Sequence, residues 1–226
     1  MRNENMPDFV VEFGEGRKPP PDGRLRGPAF ARNHAPIWSA IGPFLERRAG
    51  HALEVGSGTG EHVIDYARRT PAVTWWPSDI NPPHLASVAA WRAHANLANV
   101  EAPVRLDMLA PGWDNGLPVH GPLLAILCIN VLHISPWRVT EHLLAGAGRR
   151  LAPDGRLFVY GPFMRDGAHT APSNAAFDAS LRAENAEWGV RDTRDIAAAA
   201  ERSGLRLAEV APMPRDNLTL VIERTS

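Results

Sequence analysis

Three glycines at alternate positions, Gly56-Ser57-Gly58-Thr59-Gly60, separate an apolar run from an amphipathic one, and no other feature of the chain constrains its fold as tightly. His51 to Val55 reads as a strand, and Glu61 to Arg69 as a helix that follows it with almost no loop. A turn that tight needs positive φ, which glycine adopts without steric cost, and one glycine would satisfy a purely structural turn. Three within five residues predict a ligand lying close to the backbone. The dinucleotide fingerprint G-x-G-x-x-G would place its third glycine where Glu61 stands, and a carboxylate facing a pyrophosphate argues against a nicotinamide dinucleotide. Asp79 ends a second strand in Trp76-Pro77-Ser78-Asp79. Its distance from the glycines suits a ribose contact, although a lone Asp in that place also serves as a turn or helix cap.

The rest of the chain alternates in the same way. Strands are expected at Val73 to Pro77, Val104 to Leu106, Leu123 to Ile129, Arg156 to Tyr160, Leu205 to Val210 and Leu218 to Glu223. Helices are expected at Pro83 to His94, Arg138 to Arg150 and Thr193 to Ser203, the last followed by Gly204 in the C′ position. Leu123 to Ile129, LLAILCI, is apolar at every position, which predicts a central strand buried on both faces of a parallel sheet. This alternation predicts an α/β, Rossmann-like, doubly wound and mostly parallel seven-stranded sheet, with ligands at the carboxyl ends of its strands. Ahead of it, Ala29 to Arg48 is helical with an interruption at Pro36, an arm that packs on the domain or covers its ligand. The stretch from Gly14 to Pro28 is rich in Gly and Pro and reads as a tail, so residues 1–27 are expected to be flexible and 28–226 to form one domain.

Composition removes several function classes. A net charge of −1 and no basic stripe argue against nucleic acid. The pairs Arg47-Arg48, Arg68-Arg69 and Arg149-Arg150 fall at expected helix ends, where cations complement the dipole. No apolar run approaches a membrane span, and Met1-Arg2-Asn3-Glu4-Asn5 leads into no apolar stretch of a secretory signal. One cysteine, Cys128, predicts a core thiol and a reducing, cytoplasmic setting. The nine histidines show no H-x-x-x-H pair and there is no C-x-x-C, so no metal site is expected. Asn81-Pro82-Pro83-His84 looks like the N-P-P-Y motif of amino methyltransferases but follows the second strand, where Pro82 and Pro83 read as helix-start residues.

The glycine loop, Asp79 and Leu106-Asp107-Met108 together resemble the S-adenosylmethionine-dependent class I methyltransferases. Arg32-Asn33-x-x-Pro36-Ile37, the INVLHISPW stretch from Ile129 to Trp137 and the run from Tyr160 to Arg191 are more specific. They resemble the DUF938 family, also called methyltransferase-like protein 26, from about Gly27 to the C-terminus, with departures at Gly27 and Leu124. The resemblance implies S-adenosylmethionine as cofactor, S-adenosylhomocysteine as product and a small-molecule methyl acceptor. Gly56, Ser57, Gly58, Thr59 and Gly60 would pass under the methionine part, with Glu54 reaching the amino acid end. Asp79 would take the ribose hydroxyls, and Asp107 with Met108 would flank the adenine. Asn33, His62, Ile80 and Asn130 complete the expected cofactor set.

Residues 161–189 exceed what α/β connectivity requires, and long insertions in compact domains are usually functional. A substrate lid is expected there, with Ser173-Asn174 capping a short helix that carries Phe177 and Leu181. The catalytic candidates are His133, Tyr160, Arg165, His169 and Asn174. Arg165 and His169 suit a small, polar, anionic acceptor, with a solvated loop side chain as the equal alternative for Arg165; His133 suits a group that accepts a proton from the nucleophile or merely orients it, or else a buried histidine with no chemical role. The alternative is a non-catalytic S-adenosylmethionine-binding scaffold or sensor. The oligomeric state is left open.

Overall fold

The computed structural model describes residues 20–110 and 112–225. The expected readings of residues 1–19, as tail and as lacking a secretory signal, lie outside the described residues. Among the described residues nine strands and six α-helices follow in chain order: α1 (Phe30–Leu45), β1 (Gly50–Val55), α2 (Glu61–Arg69), β2 (Val73–Asp79), α3 (Pro82–Ala95), β3 (Val104–Arg105), β4 (Leu123–Ile129), α4 (Trp137–Arg150), β5 (Leu151–Arg165), β6 (Ala168–His169), α5 (Pro172–Glu184), β7 (Arg191–Asp192), α6 (Thr193–Glu201), β8 (Leu205–Pro212) and β9 (Asn217–Arg224). The sheet runs β3-β2-β1-β4-β5-β9-β8, seven strands of which only β9 opposes its neighbours. The two-residue strands β6 and β7 attach to the far end of β5. This is the doubly wound, mostly parallel architecture that the alternation of elements implied.

β4 occupies the centre, between β1 and β5, and all seven of its residues are buried. Leu123, Ile126 and Cys128 face the core under α4 and α6, while Leu127 and Ile129 face the core under α1, α2 and α3. Strict alternation breaks at Leu124 and Ala125, where the register against β5 shifts. The same irregularity absorbs Pro153-Asp154-Gly155, which bulges inside β5 instead of preceding it.

Four local expectations change. Helix α1 runs unbroken through Pro36 and Pro43. Each proline removes one backbone donor, and burial of Ile37, Ile41, Phe44 and Leu45 holds the helix together across the gaps. β5 continues to Arg165, so the first residues of the expected lid are strand. The Ser173-Asn174 cap does not form: α5 starts after Ala171 with no side-chain cap, and Asn174 Nδ2 donates instead to Thr170 Oγ1 (2.8 Å) and to the Asp216 carbonyl (3.1 Å). Arg149 and Arg150 do more than face a helix dipole. Arg149 makes a two-pronged pair with buried Asp114 (2.9 and 2.6 Å), and Arg150 donates to the carbonyls of Asp114 and Val119 (2.6 and 2.7 Å), bracing the crossover before β4.

Helix α4 approaches the end of α6 closely enough that a Cβ on Gly148 would lie 2.2 Å from the Ser203 carbonyl oxygen, a backbone atom that cannot rotate away. Gly148→Ala is therefore expected to cost about 1–3 kcal/mol. Gly116→Ala, with open space around its Cβ, should change stability by less than about 0.5 kcal/mol. Urea unfolding of both variants checks the pair.

Candidate cofactor site

At the carboxyl ends of β1, β2 and β4 the chain encloses a cavity of ≈ 160 Å3. Its floor is the glycine loop. Gly56, Gly58 and Gly60 have φ of +69°, +55° and +91°, and a Cβ on Gly56 would come within 2.6 Å of Val131 Cγ2. Only glycine meets both demands at that position. The loop is pinned to the neighbouring strand from two sides. Ser57 N–H donates to the Ser78 carbonyl (2.8 Å) and Ser57 Oγ accepts from Ser78 N–H (3.1 Å). Asp79 then accepts Gly58 N–H on Oδ2 (2.8 Å) and Asn81 N–H on Oδ1 (2.8 Å), with His84 Nδ1 3.2 Å from the latter oxygen. Oδ2, with one donor, keeps a second lone pair for a ligand hydroxyl.

Glu54, one residue before the end of β1, is 1% exposed, and its Oε2 has no hydrogen-bond partner. Burial pushes its carboxyl up to about 8, against the hydrogen bond from Ser57 and with the Asp79 charge adding to the rise. A buried acceptor without a donor is costly, and an ammonium group entering the cavity would satisfy it. Across the cavity lie Asp107, whose Oδ1 accepts Leu109 N–H (2.8 Å), and Met108, whose carbonyl meets His142 Nδ1 (2.7 Å). Asn130 follows β4 with φ of +58°, rare for a residue with a side chain, and donates its N–H to the Tyr160 carbonyl (2.9 Å).

The expected arm borders the cavity through Ala29 and Phe30, but the near wall begins earlier than sequence reasoning placed it. Gly27, Pro28, Ala29 and Phe30 line the cavity, and the chain leading to them, assigned to the tail, is anchored. Leu25 N–H donates to Ser87 Oγ (2.9 Å), Trp91 Nε1 donates to the Leu25 carbonyl (2.9 Å), and the guanidinium groups of Arg24 and Arg26 lie 4.7 and 5.1 Å from the Trp91 ring centroid. Glu61 completes the strap by accepting Gly27 N–H (2.6 Å) and the Thr59 hydroxyl (3.2 Å). The strap enters these hydrogen bonds through its backbone groups, which meet side chains of the domain, and its Gly- and Pro-rich composition carries no signal of that.

Of the expected cofactor residues, Glu54, Gly56, Ser57, Gly58, Thr59, His62, Asp79, Ile80, Asp107, Met108 and Asn130 line this cavity. Gly60 caps α2 beneath it, and Asn33 adjoins it through Oδ1, 2.9 Å from His62 Nε2. Burial, with the nearby His34 charge, pushes His62 down to about 4. None of the five expected catalytic residues lines the cavity. Tyr160 is adjacent, its hydroxyl accepting from Asn217 Nδ2 (3.0 Å). His133 sits in the 3-10 turn Leu132–Ile134, edge-on to Phe177 at 5.5 Å, and burial plus the Arg191 charge pushes it down to about 4. The structure does not bring Arg165, His169 or Asn174 to the cavity. Arg165 is exposed on the β5–β6 hairpin, His169 Nε2 lies 3.6 Å from Asp178 Oδ2, and Asn174 ties α5 to the turn before β9. Among the described residues no cluster of three metal-ligating side chains occurs, and no helix is long and apolar enough to cross a membrane.

Solved structures with this architecture define the class. An O-methyltransferase family protein from Burkholderia thailandensis superposes with a TM-score of 0.73 at 20% identity, covering 88% of this chain and 58% of that one. A methyltransferase of calicheamicin biosynthesis, solved with S-adenosylhomocysteine, gives 0.64 at 17% identity, covering 84% and 54%. An O-methyltransferase family 2 protein from Planctomyces limnophilus, in complex with apigenin, gives 0.64 at 19%, covering 77% and 50%. The fold is thus the Rossmann-like fold of S-adenosylmethionine-dependent methyltransferases, and the chain spans about half the length of the solved proteins it matches. Within that class the family model described as "Protein of unknown function (DUF938)" matches residues 24–224, and the chain belongs to this family.

Between the ordinary carboxylate range and about 8, folded Glu54 holds a proton that the unfolded chain has lost. Its contribution to stability therefore falls as pH rises through that window. Thermal melts of the ligand-free wild type and Glu54→Gln at pH 5, 6.5 and 8 should show the wild type losing ground steadily to the variant. A difference independent of pH would contradict the assignment.

Proposed function

We propose that this protein is an S-adenosylmethionine-dependent methyltransferase acting on a small, polar, anionic molecule. One observation carries the cofactor: two buried carboxylates at the ends of adjacent parallel strands, Glu54 with an oxygen that has no partner and Asp79 with a lone pair to spare on Oδ2, flank a loop of positive-φ glycines. The ligand this fits carries an ammonium group and vicinal hydroxyls. Glu54 would hold the first and Asp79 the second, with Asp107 and Met108 beside the base. Glu61, at the third-glycine position, is committed to the strap and leaves no place for a pyrophosphate.

Bound there, S-adenosylmethionine supplies a methyl group already activated on a sulfonium, so alignment of donor and acceptor is the protein's main task. The strap from residue 24 to Phe30 closes one side of the cavity, and Ile134 and Ser135 close another. A ligand filling the space between these walls would displace water from it, which strengthens the contacts that orient a charged acceptor. Asn130, held in a left-handed conformation beside the Tyr160 strand, presents an amide where the methyl end would lie. His133, two residues beyond the cavity-lining Val131 and kept neutral by burial, would serve as a proton acceptor. Neutral overall charge and the absence of a basic stripe support a small acceptor over nucleic acid. The buried thiol of Cys128 supports a reducing, cytoplasmic setting.

A non-catalytic sensor or scaffold is the second reading, and the exposure of Arg165 with the engagement of His169 and Asn174 in the lid favours it. Calorimetry with S-adenosylmethionine and S-adenosylhomocysteine tests the shared cofactor claim. Both should bind the wild type, and Asp79→Asn should weaken them by about 10-fold or more, about 1.4 kcal/mol. Transfer of labelled methyl to a small product from a metabolite pool separates enzyme from sensor. No binding by either nucleoside would end the cofactor reading, and binding without any labelled product would favour the sensor.

A further inference from the structure

We propose that the acceptor presents a neutral hydroxyl or amino group to a small recess over Gly161, between the Asn130 amide and the His133 ring, with its apolar body against Phe177. The inference rests on the methyltransferase reading above and specifies the reacting end of the acceptor. Gly161 lies buried in β5 with no positive φ. A Cβ built on it would meet His133 Nδ1 at 3.4 Å, His133 Cε1 at 3.7 Å and Asn130 Oδ1 at 3.8 Å, the nearest heavy atoms apart from its chain neighbours. The missing side chain thus leaves room for a methyl-sized group bounded by two polar atoms. Among the described residues no hydrogen bond or ion pair reaches the Asn130 side-chain amide or the His133 ring. His133 is 7% exposed, and a polar group so far from solvent is costly to leave unpaired. Asn130 lines the cofactor cavity, so the recess adjoins it.

The donors and acceptors around the recess select a neutral group. A neutral imidazole and an amide each both donate and accept, and so does a hydroxyl or an amine. A carboxylate only accepts, and its charge would find no cation to pair with. Arg191, the cation behind His133, is committed to backbone: Nε donates to the Leu132 carbonyl (3.2 Å) and Nη2 to the carbonyls of Ser135 and Glu187. With Gly189 N–H on the His133 carbonyl (3.0 Å), these bonds hold the turn Leu132–Ile134 in place before any ligand arrives. Phe177 of α5 stands edge-on to the His133 ring, with centroids 5.5 Å apart. It is 39% exposed, the one large hydrophobic side chain left so among the described residues. The lid has its own buried cluster of Leu181, Trp188 and Val190, which Phe177 does not join. An apolar, preferably aromatic, ligand face would cover Phe177 while its polar group enters the recess. Ile134 packs on that cluster and also lines the cofactor cavity, so lid and cavity share a wall.

Side-chain NMR tests the recess with phenol and benzoate as probes, each titrated with and without S-adenosylhomocysteine. Phenol should shift the ring signals of His133 and Phe177 along one saturation curve, and benzoate should bind about 10-fold more weakly or worse, because its charge is buried unpaired. Phe177→Ala should weaken phenol about 10-fold by removing the covered ring. Gly161→Ala should weaken it as much by filling the recess, without lowering the melting temperature or the affinity for S-adenosylhomocysteine, since its Cβ makes only ordinary contacts. Absence of a saturable response to phenol, or benzoate bound as tightly as phenol, would overturn the proposal. So would Phe177→Ala binding phenol like the wild type while its sedimentation shows the loss of a dimer, because a second copy of the chain would then be what covers Phe177. If Gly161→Ala fails to fold, the exposed Phe177→Ala decides. If S-adenosylhomocysteine fails to bind, the cofactor reading falls, and the titrations without it still decide the recess.

Discussion

The site depends on how the ends of two parallel strands are held together. In a parallel sheet β1 and β2 finish at the same edge, and their last residues would diverge as the chain leaves for α2 and α3. The reciprocal bonds between Ser57 and Ser78, and the Asp79 carboxylate on Gly58 N–H, hold the two exits in register. The glycine loop is thereby fixed at both ends, and Asp79 is fixed with it. Loosening that contact would disturb the floor of the cavity and its nearest carboxylate together.

Burial then sets the charge state of the groups around this floor. Glu54 is pushed toward its neutral acid, and His62 and His133 toward neutral imidazoles, each mainly by loss of solvent. Without ligand the cavity therefore carries less charge than its residue types suggest. A cationic ligand reverses this at Glu54, because an ammonium beside a carboxyl favours its ionised form. The strap adds to the enclosure. Its hydrogen bonds reach Glu61 and Ser87, and the Ser87 hydroxyl donates to the Thr59 carbonyl at 2.8 Å, so cover and floor form one network.

The sheet was legible in the sequence because periodicity reports burial directly: LLAILCI could only be a strand covered on both faces, and it spans β4 without a residue's error. The cofactor residues were legible because the glycine loop and Asp79 lie at strand ends, where sequence spacing and spatial position coincide. The acceptor side was not. Tyr160 meets Asn217 across 57 positions, and Asn174 reaches Asp216 across 42, contacts that no local pattern encodes. Arg165 and His169 were chosen by residue type within a segment of undetermined shape, and that segment turned out to begin with an extension of β5. Glu61 was read for what it would repel, when its structural role is what it accepts from Gly27.

The central claim is that a buried, protonated Glu54 awaits the ammonium group of the cofactor. Calorimetric titration of S-adenosylhomocysteine at pH 7 in buffers of different ionisation enthalpy measures the protons exchanged on binding. Ionisation of Glu54 predicts release of about one proton by the wild type and none by Glu54→Gln, which should also bind more weakly. Binding with no proton release, or with the same release in both proteins, would contradict the account.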